Sequence, residues 1–334
     1  MENNEFLSKG GEDEVVENIL RPRNLEEYIG QEKIKEGLRV FIKAAQKRKE
    51  PLEHILIYGP PGLGKTTLAH VMANETGSRI TVTSGPAIER SGDLVSILTN
   101  LNDSDVLFID EIHRLNKVVE EVLYPAMEDY AVDVVIGKGP SAKTLRVDLP
   151  RFTLIGATTR VSMLSSPLRD RFGLVQNLDF YNEGEIEKIL KRSAKILKID
   201  FEGDSLGGLA TRSRKTPRVA NRLLKRVRDF ATVYNKGKIN KGISDRALRE
   251  LGVDEMGFDD IDRKYLAALT KSFGGGPAGI ETLSAATSID RDTIEEVVEP
   301  YLMQTGFIRR TPRGRMATDR AFEFFDIEKQ QRLI

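Results

Sequence analysis

The chain has 334 residues, enough for about two domains of ordinary size or three small ones. Its 51 Lys and Arg residues balance 51 Asp and Glu residues, so a uniformly basic coat protein is excluded and nucleic-acid contact must come from local patches. Cysteine is absent, which excludes disulfides, thiolate nucleophiles and Cys-ligated zinc. The three histidines, His54, His70 and His113, are too far apart in sequence to suggest a transition-metal enzyme.

The sequence shows no membrane-spanning segment, and its first residues show no secretory signal pattern. No apolar run approaches the roughly 18 residues that a membrane helix needs, and residues 1–18 are acidic and polar. We therefore expect a cytoplasmic protein with a flexible arm over 1–19.

Short apolar runs then alternate with amphipathic stretches from 20 to about 181. The runs are β-branched or aromatic and each is followed by polar or turn residues, which predicts buried parallel strands at 54–58, 80–83, 106–109 and 152–155. This part of the chain is predicted to be an α/β domain with a parallel sheet.

A hairpin signal interrupts that domain. Val132–Ile136 and Thr144–Leu149 flank the turn sequence Gly137-Lys138-Gly139-Pro140-Ser141. Both strands carry apolar side chains, and a small hairpin cannot bury both faces by itself. Two interpretations stay open: the hairpin docks on a partner protein, or it packs against its own sheet.

A phosphate-binding loop follows the first predicted strand. The segment 59–66 reads GPPGLGKT, which fits GxxxxGK[ST] between a strand and a helix. Glycines allow backbone N–H groups to approach phosphate oxygens, and the helix N-terminus favours negative charge. Lys65 is then expected to reach the β- and γ-phosphates, and the Thr66 hydroxyl to bind Mg²⁺.

An apolar strand that ends in two acids supplies candidate residues for Mg²⁺ binding and for activation of water. The run 106–109 leads into Asp110 and Glu111, 45 residues after Lys65. Asp110 is predicted to hold Mg²⁺, and Glu111 to orient and deprotonate the attacking water. The second acid favours hydrolysis over a switch or a kinase.

The remainder of the chain divides into a helical part over 182–254 and a C-terminal part over 255–334. Residues 211–241 contain 11 basic side chains and one acid, so a solvated basic helix is expected there. In the C-terminal part, apolar residues at 294, 297, 298, 301 and 302 predict a buried helix face, with Asp290 or Asp292 as its cap. Three helices and a short hairpin predict a winged helix.

The predicted wing is strongly basic. Residues 305–320 hold five Arg and one Asp, which suggests contact with phosphates. The preceding helix instead carries Glu295, Glu296 and Glu299, which would repel DNA in a deep major groove. This contrast predicts a sequence-independent grip through the wing; a solubilising arginine-rich turn is the alternative.

Several motifs together resemble AAA+ ATPases and, within them, the RuvB family of Holliday-junction branch migration motors. They are the segments 59–67, 110–115, 156–160 (GATTR), 167–173 (PLRDRFG), 216–218 (TPR) and 311–315 (TPRGR). The resemblance covers about 20–325 and departs from the family at no motif position. It implies an α/β AAA+ P-loop domain, an all-α lid domain and a C-terminal winged-helix domain.

The resemblance also implies roles for individual residues. Thr159, beside Thr158, takes the sensor 1 role, Arg171 is the arginine finger with Arg169 as its competitor, and Arg218 is the sensor 2 arginine. The residues implied at the nucleotide, besides Lys65, Thr66, Arg171 and Arg218, are Leu20, Arg21, Gly62, Gly64, Thr67, Glu128, Asp129, Tyr130 and Tyr181. The implied DNA contacts are Arg291, Arg310 and Arg315.

In that family the chain would be one subunit of a hexameric ring that uses ATP and Mg²⁺ to move duplex DNA through four-way junctions. Its partners would be a RuvA-like junction-binding protein on hairpin 132–149 and a RuvC-like resolvase, in recombination, DNA repair and the SOS response to DNA damage. Two rivals stay open. They are a clamp-loader-like or protein-remodelling ATPase, and a DNA-binding transcriptional regulator.

Overall fold

The computed structural model describes residues 17–136 and 143–327. Most of the predicted arm, the turn 137–141 of the predicted hairpin and the last seven residues of the predicted C-terminal domain lie outside the described residues. The chain forms two compact units: residues 1–59 with 63–179, and residues 60–62 with 180–334.

The first unit is built on a parallel five-stranded sheet. Its strands, in chain order, are β1 Ile55–Tyr58, β2 Ile80–Ser84, β3 Val106–Asp110, β6 Thr153–Thr158 and β7 Leu174–Asn177. They pair in the order β2-β3-β6-β1-β7. This order puts the carboxyl ends of β1, β3 and β6 along the same edge of the sheet.

The helices of the first unit follow from capping and amphipathic spacing. They are α1 Glu32–Arg48, α2 Lys65–Thr76, α3 Ser91–Thr99, α4 Lys117–Glu128 and α5 Ser166–Arg169. The Asn116 side chain accepts the Val119 backbone N–H and so caps α4, and the Ser165 hydroxyl does the same for α5 at Leu168. Buried Leu, Ile and Val side chains from α3, α4, α5, β3 and β6 form one core cluster of this unit.

The predicted hairpin is present as β4 Ala131–Ile136 and β5 Lys143–Asp148, paired antiparallel. Val132 is buried, and Val134 and Val147 pack partly against the core of the first unit. Leu145, in contrast, is half exposed, at 51%. Leu145 is paired with Val134 and therefore lies on the same face as Val132, Val134 and Val147, farther from the base of the hairpin. The base of this face packs on its own domain, as one of the two interpretations expected, and the part nearer the turn carries an exposed leucine.

The second unit begins with a helical part. Its elements are α6 Glu183–Ile196, β8 Asp200–Phe201, α7 Gly207–Thr211, α8 Pro217–Tyr234, β9 Lys238–Ile239 and α9 Lys241–Glu250. Strands β8 and β9 form a short parallel pair that sequence reasoning did not predict. Two-residue strands carry too little periodicity to be detected.

The C-terminal part of this unit is a winged helix. Its elements are α10 Asp260–Ala267, α11 Ile280–Thr287, α12 Arg291–Thr293, α13 Glu299–Gln304, β10 Ile308–Thr311, β11 Gly314–Ala317 and α14 Asp319–Phe324. A π-helical turn, Ile294–Val298, joins α12 to α13, so we refer to the whole as helical segment 291–304. Of the two predicted caps, Asp290 accepts the Thr293 backbone N–H.

Within the second unit, a buried arginine joins the helical part to the winged helix. Arg214 Nη1 lies 3.1 Å from the fully buried Asp262 carboxylate, and Nη2 donates to the Val297 carbonyl oxygen at 2.7 Å. Its guanidinium also lies over the Tyr301 ring, 5.1 Å from the centroid. Burial raises the pKa of Asp262 to about 7, although Arg214 opposes this shift.

None of the helices in the described parts of the chain is both long enough and apolar enough to cross a membrane.

Candidate nucleotide site and nucleic-acid interface

The loop between β1 and α2 has the backbone that the phosphate-binding motif requires. Gly59 and Gly64 have φ angles of 145° and 97°, which side chains other than glycine rarely adopt. A Cβ at Gly59 would lie 2.5 Å from the Leu178 carbonyl oxygen. Lys65, the first residue of α2, is buried, and its Nζ donates to the Gly59 carbonyl oxygen at 2.8 Å. The lysine that is predicted to bind phosphate is thus held against the phosphate-binding loop.

The two acids after β3 have different backbones. Asp110 ends the strand, and its Oδ1 accepts the Glu111 backbone N–H at 3.0 Å. Glu111 has φ 50° and ψ 42°, in the left-handed region. Such a conformation costs about 1–3 kcal/mol in a residue other than glycine and is common where a side chain must be aimed.

A chain of polar contacts connects Glu111 to the end of β6. The Thr158 hydroxyl accepts the Arg160 backbone N–H at 2.9 Å and lies 2.8 Å from His113 Nδ1. His113 Nε2 in turn lies 3.5 Å from Glu111 Oε2. If Thr158 donates to Nδ1, as its remaining hydrogen allows, the imidazole proton sits on Nε2 and faces Glu111. We call these contacts the Thr158–His113–Glu111 relay.

Electrostatics keeps the histidine of this relay neutral. Burial lowers the pKa of His113, and the positive charges of Arg160, Arg114 and Lys65 lower it further, against a smaller opposing effect of Asp110. A neutral imidazole keeps one donor and one acceptor, which is what the relay needs. The electrostatic effects of Lys65 and Asp110 on His113 also show that the lysine and the two acids belong to one site within the first unit.

The predicted magnesium ligands fit the ion chemically. Thr66 lies half-buried in the first turn of α2, and Asp110 ends β3 with one carboxylate oxygen fixed by the Glu111 N–H. Hydroxyl and carboxylate oxygens are the donors that Mg²⁺ prefers, and it usually takes its remaining ligands from phosphates and water. These two residues would hold the ion, which neutralises phosphate charge when bound.

The side chain of the predicted arginine finger makes specific contacts within the first unit. Arg171 Nη1 donates to the Pro167 carbonyl oxygen at 2.7 Å, and Nη2 lies 3.2 Å from Glu128 Oε1. The guanidinium also stacks over the Tyr124 ring, 4.3 Å from its centroid. Its buried Nε has no hydrogen-bond partner among the described residues. The structure thus brings Arg171 together with Glu128, another residue of the predicted nucleotide set.

The two residues after Glu128 lie in other surroundings. Asp129 pairs with Arg146 of the hairpin at 2.7 Å. Tyr130 packs its ring edge-on against Phe152 and tilted against His54. Both residues therefore lie at the base of the hairpin. Their role at the nucleotide stays a prediction.

On the adenine side, the predicted contacts Leu20 and Arg21 lie near the helix that follows the phosphate-binding loop. Leu20 is buried. Burial lowers the pKa of Arg21. The pKa of His70 on α2 is lowered to about 4, mainly because the imidazole is buried and secondarily because Arg21 is positively charged. Thr67 is a half-buried residue of the same helix, and Thr159 is half-buried just after β6.

The predicted residues of the second unit lie at its N-terminal end. The Tyr181 side chain is buried, and its backbone N–H donates to the Lys215 carbonyl oxygen at 3.1 Å. Arg218 is an exposed residue in the first turn of α8. Residues 60–62 group with this unit, and the Arg218 backbone N–H lies 3.4 Å from the Gly62 carbonyl oxygen.

The three predicted DNA contacts of the winged helix differ in exposure. The side chains of Arg291 and Arg310 are 56% and 44% exposed, whereas that of Arg315 is 13% exposed. Glu295 and Glu299 each lie against two of these arginines. Two of the three acids that sequence reasoning treated as repelling DNA are therefore neutralised within the domain.

Three residues have contacts at these sites that were not predicted from the sequence. Thr158 and His113 form the relay to Glu111, and Glu299 links the arginines of the wing. One signal was available: Glu295 and Glu299 are spaced i, i+4 and so share a helix face. The pairing of that face with the wing depends on tertiary packing.

Comparison with known proteins decides the family. Residues 20–178 match the Holliday junction DNA helicase RuvB P-loop domain, 181–254 the RuvB AAA lid domain and 255–326 the RuvB C-terminal winged helix domain. The chain belongs to the RuvB family. The family and the fold class expected from the motifs are thereby confirmed.

Solved structures of a bacterial relative agree. The chain is 47% identical to the Thermotoga maritima RuvB Holliday junction branch migration motor, over 93% of this chain and 99% of that chain, with a TM-score of 0.85. Two single-residue variants of Thermotoga maritima RuvB are each 48% identical, over 92% of this chain and 99% of theirs, with a TM-score of 0.86.

Proposed function

We propose that the chain is the ATP-hydrolysing subunit of a hexameric ring that moves duplex DNA and drives Holliday-junction branch migration in recombination and repair. The observation that carries the proposal is the joint presence of a P-loop lysine, a strand-end Asp-Glu pair and an arginine-rich wing in a RuvB-family chain. ATP and Mg²⁺ are its cofactors, and cytoplasmic action is part of the proposal.

The first unit would carry out hydrolysis. Lys65 stabilises phosphate charge, Thr66 and Asp110 hold Mg²⁺, and Glu111 activates water, with its side chain steadied by the relay. Arg171 would act on the nucleotide of a neighbouring subunit. Its contacts in this chain are consistent with that role, because Tyr124 and Glu128 hold the guanidinium in place until a stronger anion competes for it.

The second unit would couple nucleotide state to DNA. Tyr181 and Arg218 are proposed to contact the nucleotide, and Arg291, Arg310 and Arg315 the DNA phosphates. Because buried Arg214 ties the helical part to the winged helix, a movement at one end of the unit is expected to be passed to the other.

Partner proteins would act at the hairpin and at the junction. The exposed Leu145 on β5 supports docking of a RuvA-like protein on hairpin 132–149, since an apolar side chain exposed at 51% gains from being covered. A RuvC-like resolvase would cut the junction. The protein would act in the SOS response to DNA damage.

The test is steady-state ATP hydrolysis by the full chain, with and without long linear duplexes of unrelated sequence. Glu111→Gln serves as the inactive blank. Equal stimulation by every duplex supports a sequence-independent DNA motor, and branch migration of a four-way junction with a RuvA-like partner then tests the full proposal. No stimulation of protein shown to form rings would favour a protein-remodelling ATPase.

The two rivals predict different results. For a clamp-loader-like or remodelling ATPase, Arg310→Ala leaves activity intact, because the wing has no part in it. A transcriptional regulator would show strong preference for one duplex sequence.

A further inference from the structure

The winged helix contains a fully buried carboxylate that holds two arginines of the wing. Glu299 has no exposed surface. Its Oε1 accepts Arg315 Nε at 2.8 Å, and its Oε2 accepts Arg310 Nε at 2.7 Å. The Tyr265 hydroxyl of α10 donates to Oε1 at 2.8 Å, and burial with the nearby Glu299 charge raises the pKa of that tyrosine. A single side chain therefore connects α10, helical segment 291–304 and both strands of the wing.

The two arginines would repel each other without this carboxylate. Arg310 of β10 lies directly opposite Arg315 of β11 in the antiparallel register. Like charges at opposed positions destabilise a strand pair. Glu299 lies against both and offsets their repulsion, and truncating one partner of such a buried pair leaves the others without compensation.

A second acid extends the arrangement. Arg315 Nη2 lies 3.0 Å from Glu295 Oε1, and Arg291 Nε lies 3.6 Å from Glu295 Oε2. The ion pairs thus form one continuous chain in space, which runs from Arg291 through Glu295, Arg315 and Glu299 to Arg310. It joins all three arginines that are proposed to contact DNA.

Arg310 is held in one orientation by these contacts. Both Nε and Nη2 point to Glu299 Oε2, at 2.7 and 2.5 Å. The side chain is nevertheless 44% exposed, so solvent still reaches an arginine whose guanidinium is anchored through Nε and Nη2. A planar guanidinium fixed in this way is preorganised for a phosphate oxygen, because little rotamer freedom remains to be lost on binding.

We propose that Glu299 is a positioning residue for DNA: it fixes Arg310 and Arg315 on the wing so that Arg310 presents its outer edge to the duplex backbone. The inference rests on the proposed function, namely that the wing contacts DNA. It assigns to an acidic residue a favourable effect on the binding of a polyanion.

The sign of one substitution separates positioning from simple charge. Glu299→Gln keeps the shape of the side chain and removes one negative charge next to the wing. If only net charge mattered, duplex affinity would rise, since fewer acids oppose the phosphates. Positioning predicts the reverse, because Arg310 and Arg315 lose their shared anchor and separate.

The experiment measures binding of the full chain to fluorescent duplexes of unrelated sequence across a series of salt concentrations. For Glu299→Gln we expect affinity to fall about tenfold at moderate salt, the loss of one good charge-assisted contact. The slope of log affinity against log salt should become shallower by about one, as expected when one phosphate contact is lost. Glu323→Gln, at an exposed position of α14, is the charge-matched control and should bind as tightly as the parent chain or slightly tighter.

Two further variants keep the test decisive if Glu299→Gln fails to fold, which thermal unfolding will show. Tyr265→Phe removes one donor to Glu299 without a charge change and should weaken binding about two- to threefold with a smaller change in salt slope. In an Arg310→Ala background, adding Tyr265→Phe or Glu299→Gln should cost less than in the parent chain, because the part of each effect that acts through Arg310 is already lost.

The outcomes are distinguishable. Unchanged or tighter binding by folded Glu299→Gln, together with weakened Arg310→Ala, overturns the positioning role and leaves the wing as a DNA contact. Unchanged binding by Arg310→Ala overturns the proposed role of the wing itself.

Discussion

The relay to Glu111 predicts that a threonine which is not expected to touch the nucleotide controls hydrolysis. Thr158 is fully buried, and Thr158→Val replaces its hydroxyl by a methyl group of nearly the same size. The substitution leaves the Arg160 backbone N–H and His113 Nδ1 without the partners that they have at 2.9 and 2.8 Å. His113 is then free to turn away from Glu111.

The expected magnitudes follow from these two lost contacts. Each buried polar group left without a partner costs about 1–3 kcal/mol, so the loss of two partners should lower the free energy of unfolding by roughly 2–6 kcal/mol. General-base catalysis contributes about 10²–10⁴ in rate, and loss of the support for the base should remove about one order of magnitude of it. We therefore expect kcat for ATP hydrolysis to fall about tenfold or more, with KM for ATP little changed.

Steady-state ATPase kinetics and chemical denaturation of the same preparations test this reasoning. Thr158→Ser is the matched control, because it keeps the hydroxyl and loses one buried methyl group, at a cost of about 1 kcal/mol. It should retain most of the parent kcat. A Thr158→Val variant that loses stability as expected but hydrolyses ATP at the parent rate would refute the relay as a support for Glu111.

Three other predictions follow from single side chains. Arg171→Ala should lower kcat by about 10³-fold or more with ATP binding retained, whereas the exposed neighbour Arg169→Ala should not; equal losses in both would contradict the finger assignment. Because the pKa of Asp262 is raised to about 7, the folded chain holds an extra proton between about pH 4 and 7, and the free energy of unfolding should fall as pH rises through that window, by at most about 1.4 kcal/mol per pH unit. Asp262→Asn should flatten this slope in urea titrations at several pH values, and an unchanged slope would assign the pH dependence to other groups. Gly156→Ala places a Cβ 2.9 Å from Ile112 Cδ1 and 3.0 Å from Phe172 Cζ in the core, so the midpoint of thermal unfolding should fall, at a cost of about 1–3 kcal/mol; the parent midpoint would show that the site can relax.

The sequence was most informative where local pattern and motif agreed. The four predicted strands of the sheet are present, with bounds that differ by at most three residues from the predicted ones. Strands β1, β3 and β6 are buried apolar runs that lead into a motif. Strand β2 was expected to be buried, but it lies at the edge of the sheet and Val82 is 50% exposed. Strand β7 was missed. It lies at the edge of the sheet, and its segment Leu174-Val175-Gln176-Asn177 ends in polar residues and resembles a loop.

Side-chain partnerships across the fold were beyond sequence reasoning. His113 belongs to the motif 110–115, but the sequence assigns it no partner, since Thr158 is 45 positions away and reaches it through the pairing of β3 with β6. From the sequence alone Glu299 is one of three acids expected to oppose DNA. Its burial and its two arginine partners depend on how the wing packs on helical segment 291–304, which the sequence does not show. Composition gives the charges of these residues but not their pairing.

The division of the wing arginines has a consequence for how a chain of zero net charge can bind a polyanion. Arg309 and Arg313 are exposed on the hairpin, whereas Glu299 holds Arg310 and Arg315. Long exposed arginines adapt to any backbone position but lose rotamer freedom on contact, and a fixed arginine loses little. On the proposed function, a wing with both kinds would combine tolerance of sequence with a defined orientation on the duplex. That combination suits a motor, which must release and regain equivalent phosphate positions without reading the bases between them.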